Sequence, residues 1–268
     1  MRTDGHGATK HCPIRLGGDG RTNQAADESP RKGGGPTLTQ RWAVRFTVQG
    51  DLRFLSHHDS LRAVERTIAR AALPLRYSQG FNPHPVLSLA CPRPVGVAGG
   101  DELLAVSLEG ETGAEELVSR LNACAPEGMR FTEARELTGR RTPRPVRVTY
   151  RVALAPRTAG DVARRLDALR AQASWAVERK VSGKGRRDGW KVRAIDLRPL
   201  VAKLELEGDC LVMELVAGGD LWARPGEVLS LTGLDERIDL ASTVRTAVEY
   251  DFGAKGCTEG QDTDIEGE

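Results

Sequence analysis

No stretch of this 268-residue chain approaches the roughly 18 apolar residues that a membrane-spanning helix requires, and no apolar run follows the first charges at the N-terminus. Neither a membrane span nor a secretory leader is read from the sequence, so the expected location is the cytoplasm. The five cysteines (Cys12, Cys91, Cys124, Cys210, Cys257) are odd in number and widely scattered. No C-x2-C or C-x3-C-x2-C spacing occurs among them, so neither a zinc knuckle nor a cysteine-held iron–sulfur cluster is supported. Reduced thiols, buried or in the tails, are expected for most of them.

What is present is a globular middle between two polar ends. Residues 1–40 are rich in Gly, Asp, Thr and Arg, include Gly33-Gly34-Gly35-Pro36 and show no apolar period, which reads as a disordered extension. Residues 251–268 carry Asp251, Glu259, Asp262, Asp264, Glu266 and Glu268 against Lys255 alone, an acidic solvated tail. The net charge of +2 conceals an asymmetry. Residues 135–198 hold 18 Lys and Arg against 6 Asp and Glu, while residues 41–134 hold 10 against 11 and residues 199–250 hold 4 against 10. Positive potential concentrated in one third of the folded region attracts phosphate backbones. An Arg-rich solvated face accounts for the same charge without a ligand.

Periodicity places strands at Arg41–Val48, Val86–Ala90, Leu103–Leu108 and Met129–Glu136, with helices after Ser56 and over Ala114–Ala125. The helix after Ser56 sets Leu61, Val64, Ile68 and Ala72 on one face, and Ser56 with Asp59 fits a capping box. Gly99-Gly100 reads as a turn. The second half repeats the order: strand Val146–Leu154, helix Ala159–Ala173, strands Trp175–Val181, Trp190–Leu197, Leu200–Leu206 and Cys210–Val216, helix Pro225–Leu231 and strand Thr243–Tyr250. The expected fold is α+β, two tandem ferredoxin-like βαββαβ units, over residues 41–138 and 139–250, with an extra basic β-hairpin in the second. Two sandwiches joined near Thr138–Pro145 follow from that.

The densest segment is Leu52–Gly96, which packs His57, His58, His84 and five prolines around one short amphipathic helix. Unpaired backbone N–H groups at the start of that helix, with Arg53, His57 and Arg62 near them, suit an anion. Capping by Ser56 and Asp59 with His57 simply packed is the plain alternative. Downstream, Tyr77, Ser78, Gly80, Phe81, Asn82 and His84 form a turn stiffened by Pro83 and Pro85, a rigid polar edge with aromatic groups suited to recognition. Two histidines can act as general base and acid near neutrality, which makes His57 and His84 the candidate catalytic residues. Successive helical residues diverge by about 100°, which argues against a metal held by His57 and His58 together. No metal site is assigned. In the second half, Arg179, Lys180, Lys184, Arg186, Arg187, Lys191 and Arg193 lie between or beside Trp175 and Trp190. Cations there can contact phosphates, and indoles can stack on unpaired bases.

Arg53-Phe54-Leu55-Ser56-His57, Asp59, Arg62, Glu65-Arg66, Leu73-Pro74, Tyr77-Ser78, Gly80-Phe81-Asn82-Pro83-His84-Pro85, Ser88, Ala90 and Pro94-Val95-Gly96 form one extended pattern. It resembles the signature of the bacterial radical-SAM-linked proteins of unknown function, in the standalone form without the radical SAM domain. Asp196-Leu197-Arg198-Pro199-Leu200 and Arg224-Pro225-Gly226-Glu227-Val228-Leu229 look like further features of it. His58 and Leu89 depart from the pattern, and Cys91 stands at a variable position of it. The resemblance implies a partner radical SAM enzyme, carrying the iron–sulfur cluster and S-adenosylmethionine, in RNA modification. The expected function is accordingly an accessory protein that binds structured RNA, tRNA or rRNA. A protein adaptor without RNA contact and a metal-independent endoribonuclease using His57 and His84 are the alternatives.

Overall fold

Strand β1 (Thr39–Val48) alternates as a half-buried strand must. Trp42, Val44, Phe46 and Val48 are buried on one face, while Arg41 and Arg45 stand on the other. In the computed structural model, which describes residues 38–139, 141–182, 190–219, 221–235 and 239–253, this strand pairs on both sides. Its antiparallel neighbours are β3 (Ala98–Glu109) and β4 (Met129–Glu136). The short β2 (Leu87–Leu89) adds to the far edge of β3. Most of the expected N-terminal extension, the acidic tail beyond 253 and Lys184, Arg186 and Arg187 lie outside the described residues.

Helix α1 (His57–Arg70) begins at Ser56, whose hydroxyl accepts the Asp59 N–H at 3.2 Å, the expected cap. It buries Val64, Thr67 and Ile68, and Ala72 in the left-handed region (φ 51°) turns the chain out of it. Arg120 of α2 (Ala114–Cys124) donates to the Ala71 and Ala72 carbonyls at 2.8 and 2.9 Å, satisfying acceptors left open at the end of α1. Both helices cover the Trp42 face of the sheet, through Leu117 and Leu121 of α2.

In the second half, β5 (Arg144–Ala153) pairs with β9 (Cys210–Val216), β9 with β8 (Val201–Glu207), and β5 with β10 (Thr243–Asp251). Helix α3 (Pro156–Arg170) opens on proline, where no N–H is missed, and buries Ala159, Val162, Leu166 and Leu169. Helix α4 (Pro225–Leu231) matches its expected range. A separate two-stranded ribbon, β6 (Ala176–Ser182) with β7 (Trp190–Asp196), forms the inserted hairpin.

The fold is α+β with a mostly antiparallel sheet. Its strand order is β4-β1-β3-β10-β5-β9-β8, with β2 beside β3. The two halves, expected to be joined near Thr138–Pro145, contribute their strands to one shared sheet. Gly99-Gly100 is no turn but part of β3, and it is where the halves join, through the parallel pairs Val244–Ala98 and Arg245–Gly99. A glycine inside a strand often marks close backbone approach. Here a Cβ on Gly100 would lie 3.2 Å from the Arg245 carbonyl, and one on Gly99 would collide with the Glu102 carboxylate.

That carboxylate pairs with Arg245, and both side chains are buried. Arg245 also donates to the Cys91 carbonyl at 2.8 Å and the Pro92 carbonyl at 3.3 Å. Burial opposes its charge, but the surrounding groups, Glu102 foremost, together outweigh this and the guanidinium stays protonated. Beside it, burial pushes the Tyr150 hydroxyl up to about 12 and the Cys91 thiol above its usual value, so both are neutral near pH 7. A second tie crosses the seam where Arg53 donates to the Ala241 carbonyl at 2.9 Å.

On the face opposite α1 and α2, Leu137 packs over Ala43, Leu103 and Ala105. The connection between the halves thus runs across this face, held by the Leu137 N–H to the Arg41 carbonyl at 2.7 Å. Arg41 in turn donates to the carbonyls of Gly139 and Arg141.

Candidate functional site: a proline-stiffened hairpin beside a cleft

After α1 the chain pairs briefly with β3, leaves it over residues 77–85 and returns. Arg76 N–H donates to the Ser107 carbonyl at 2.9 Å, Ser107 N–H to the Val86 carbonyl at 3.0 Å, and Val86 N–H to the Arg76 carbonyl at 2.8 Å. Within the excursion Ser78 N–H donates to the His84 carbonyl at 2.8 Å, and His84 N–H to Ser78 Oγ at 2.9 Å. Pro83 and Pro85 have no N–H, so His84 supplies the donor that closes this loop. Gly80 takes φ +144°, a conformation that L side chains rarely adopt. The outcome is a braced loop with Phe81 wholly exposed (106%), Tyr77 exposed (49%), and Asn82 and His84 facing solvent. An isolated, fully exposed phenylalanine on a rigid loop has no packing role, which makes this the segment most suited to contact another molecule.

Next to the hairpin, the face opposite α1 and α2 is hollow. One cavity of about 340 Å³ is lined by Ser78, His84, Arg41, Ala105, Ser107, Ser88 and Thr142, among others. Another, of about 680 Å³, is lined by Ser88, Leu89, Ala90, Arg141, Thr142, Pro143, Arg144, Asp251, Phe252 and Gly253. They share Ser88 and Thr142, so they form one cleft between β2, the connection and the end of β10. The wedge exists because β3 pairs with β10 only at its first residues and with β2 further along. Sequence reasoning missed Arg41, Arg141, Arg144, Ser88 and Thr142 as site residues. The only signal was the onset of the positively charged third of the chain at residue 135.

The other expected recognition point, the start of α1, stands apart. Asp59 and Arg62 pair at 3.4 Å and line a different cavity, which shares no residue with the cleft. Arg53 is committed to the seam and lies over Phe54, with its guanidinium carbon 4.8 Å from the ring centre. His57 opens α1 and His84 lines the smaller cavity of the cleft, and among the described residues no hydrogen bond, ring contact or shared cavity links the two histidines. The rings of His57 and His58 meet edge to face at 5.8 Å. Among the described residues no group of three or more His, Cys, Asp and Glu could hold a metal ion.

His57 Nδ1 is buried without a partner among the described residues. Burial, and then the neighbouring His58, hold its pKa below the usual 6.5. As pH falls below 6.5 the unfolded chain takes up this proton more readily than the folded one, so stability present above that value is lost. The unfolding midpoint should therefore drop between pH 7 and pH 5, and less so in a His57→Gln variant. Equal slopes in the two proteins would rule the coupling out.

The ribbon β6–β7 keeps only part of its expected cationic face. Arg179 is buried, with Nε donating to Glu227 at 2.7 Å and a terminal nitrogen to the Trp222 carbonyl at 2.9 Å, so it anchors the ribbon to α4 rather than facing a phosphate. Trp175 is likewise a core residue, its indole N–H donating to the Leu169 carbonyl at 2.9 Å. Lys180, Lys191 and Arg193 are exposed, as are Trp190 (75%) and Val192 (59%). At the base, an Asp196 oxygen accepts the N–H groups of Trp175 at 2.8 Å and Arg198 at 3.0 Å, which holds its carboxyl below the usual range. No helix among the described residues is long and apolar enough to cross a membrane.

No curated protein matches the chain. A crystal structure of an unknown protein from Galdieria sulphuraria is similar to it over 67% of this chain and 84% of that one, at 10% identity. With a TM-score of 0.25, this similarity carries no argument here. Residues 41–225 match the family described as uncharacterized protein conserved in bacteria (DUF2344), a span that takes in the hairpin, the cleft residues up to Arg144, the ribbon and the first residue of α4. The chain belongs to that bacterial family.

Proposed function

We propose that this protein is an accessory that binds structured RNA, tRNA or rRNA, for a partner radical SAM enzyme. The scaffold is read as two ferredoxin-like units joined edge to edge. In each half the fourth strand lies beside the first and the third separates the first from the second, as β4-β1-β3-β2 and β10-β5-β9-β8, which supports that reading. The radical SAM partner, with its iron–sulfur cluster and S-adenosylmethionine, rests on the resemblance of the Leu52–Gly96 pattern alone.

One observation carries the RNA reading: Phe81 stands fully in solvent on a braced hairpin. Trp190 repeats the theme on the ribbon, among exposed Lys180, Lys191 and Arg193. Aromatic faces stack on unpaired bases for about 1–3 kcal/mol per base, and the cations hold the backbone without reading sequence. The protein-adaptor reading draws on the same ribbon, because Trp190 and Val192 are apolar as well as exposed.

Fluorescence anisotropy with total tRNA tests the proposal. Affinity should fall steeply with salt, and Phe81→Ala and Trp190→Ala should each weaken binding by roughly five- to a hundredfold. Absent or salt-insensitive binding ends the RNA reading. Nuclease-resistant co-purification with a radical SAM enzyme, without RNA affinity, establishes the adaptor instead.

A further inference from the structure

We infer that the cleft between β2 and the inter-half connection binds the phosphodiester backbone of a single-stranded RNA segment, with Arg141 and Arg144 as the groups that hold its phosphates. The inference rests on the RNA reading above and places that RNA on the protein. It concerns residues outside both the hairpin and the ribbon.

The argument starts from which cations are already committed. Arg41, at the cleft wall, is taken up by the carbonyls of Gly139 and Arg141, so it fixes the connection in place. Arg141 and Arg144 are exposed, line the larger compartment, and enter no ion pair among the described residues. The cavity beside α1 is the contrast. There Arg62 pairs with Asp59, and Arg70 donates to the Cys124 carbonyl at 2.6 Å. Of the three arginines at that cavity only Arg66 keeps its donors unspent, whereas the cleft sets two such guanidinium groups, Arg141 and Arg144, along one wall. A planar guanidinium with five N–H donors matches two phosphate oxygens at once.

The rest of the lining fits a strand. Ser88 and Thr142 sit where the two compartments meet, and hydroxyls there can donate to a backbone oxygen. Asp251, opposite Arg144 in the strand register, is the one carboxylate in the lining, so cations outnumber it. The smaller compartment ends at Ser78 and His84, below the loop that carries Phe81. The two compartments, about 680 and 340 Å³, share Ser88 and Thr142 and lie within the size range of ligand sites. A backbone crossing Arg144 and Arg141 toward His84 would bring its next base to the exposed aromatic group.

The test uses the full chain with two labelled probes, an oligouridylate of about eight nucleotides and total tRNA. Arg141→Gln combined with Arg144→Gln should weaken oligouridylate binding at least tenfold. It should also lower the slope of log affinity against log salt by roughly 0.7 for each phosphate that is no longer neutralised. Thr142→Glu, which adds a carboxylate to the same wall and removes no arginine, should weaken the oligonucleotide in the same direction. Lys180→Gln with Arg193→Gln, on the ribbon, should weaken tRNA and leave the oligonucleotide unchanged. If the Arg141/Arg144 and Thr142 variants bind both probes like wild type while the ribbon variant loses tRNA, the cleft inference is wrong and the RNA reading stands. If wild type binds neither probe, both fall together.

Discussion

Replacing Glu102 by alanine should destabilise this protein by about 3–5 kcal/mol, the usual cost of removing one partner from a buried ion pair. Folded domains are stable by only about 5–15 kcal/mol, so the loss would remove a large share of the total. Its origin is local. Arg245 is fully buried, and its other oxygen partners, two backbone carbonyls and the neutral Tyr150 hydroxyl, cannot neutralise its charge. Without Glu102 a desolvated guanidinium remains at the one place where β3 meets β10. Gly99→Ala should act in the same direction, because its Cβ would occupy the space of the Glu102 carboxylate. Combining Glu102→Leu with Arg245→Met should recover most of the loss, since an apolar pair leaves no uncompensated charge. Urea unfolding of the three variants decides this. A cost below about 1 kcal/mol for Glu102→Ala would mean that water reaches Arg245.

Glu227→Ala should have the second largest effect, and a more local one. Glu227 does two jobs from the first turn of α4. One oxygen accepts the Arg224 N–H at 3.0 Å and so caps the helix, while the carboxylate holds Arg179 of the ribbon. Both side chains of the pair are largely buried, at 8% and 14% exposure, so solvent screening does little to weaken it. Removing the carboxylate leaves Arg179 buried against one carbonyl and α4 uncapped, at a cost of about 3 kcal/mol or more. The ribbon is a two-stranded sheet of its own, and such ribbons are marginal without outside support. Amide exchange over β6 and β7 should therefore accelerate on the order of a hundredfold, while the central strands of the main sheet change little. Uniform acceleration across the whole sheet would show instead that the ribbon and the core open as one unit. Glu227→Gln, which can keep the cap but not the charge, separates the two contributions.

Some of this molecule is legible without coordinates. Met129–Glu136, Cys210–Val216 and Pro225–Leu231 take their expected ranges, and the Ser56 cap forms where its spacing places it. These depend on neighbours a few residues away, through alternation, turn chemistry and capping, so the local sequence carries them. Gly99-Gly100 shows the limit. Two adjacent glycines suit a turn by their own preferences, and only a second strand arriving from the far end of the chain makes them a seam, as in the Arg245–Gly99 pair of the parallel register. Glu102 and Arg245 left no mark of their own, since β3 also carries Asp101 and Glu109 and β10 also carries Glu249 and Asp251.

The candidate site divides in the same way. Phe81, His84 and their prolines were visible because the few successive residues from Ser78 to His84 hold that loop together through bonds among themselves. Trp175 and Trp190 looked equivalent in sequence, yet one is core and the other projects, because only Trp175 is covered by α3 and the neighbouring core. Arg179 and Lys180 are adjacent cations, and the alternation of a strand sends one to Glu227 and the other to solvent. Of the cleft only its positive charge after residue 135 was visible, since Ser88, Arg141 and Asp251 meet only after two halves pair through a single sheet. By itself the sequence determined the strands, the caps and the stiff hairpin, all products of short-range sterics and hydrogen bonding. Tertiary structure alone decided which charges are buried and which face the cleft, because desolvation and pairing depend on neighbours that chain order does not encode locally.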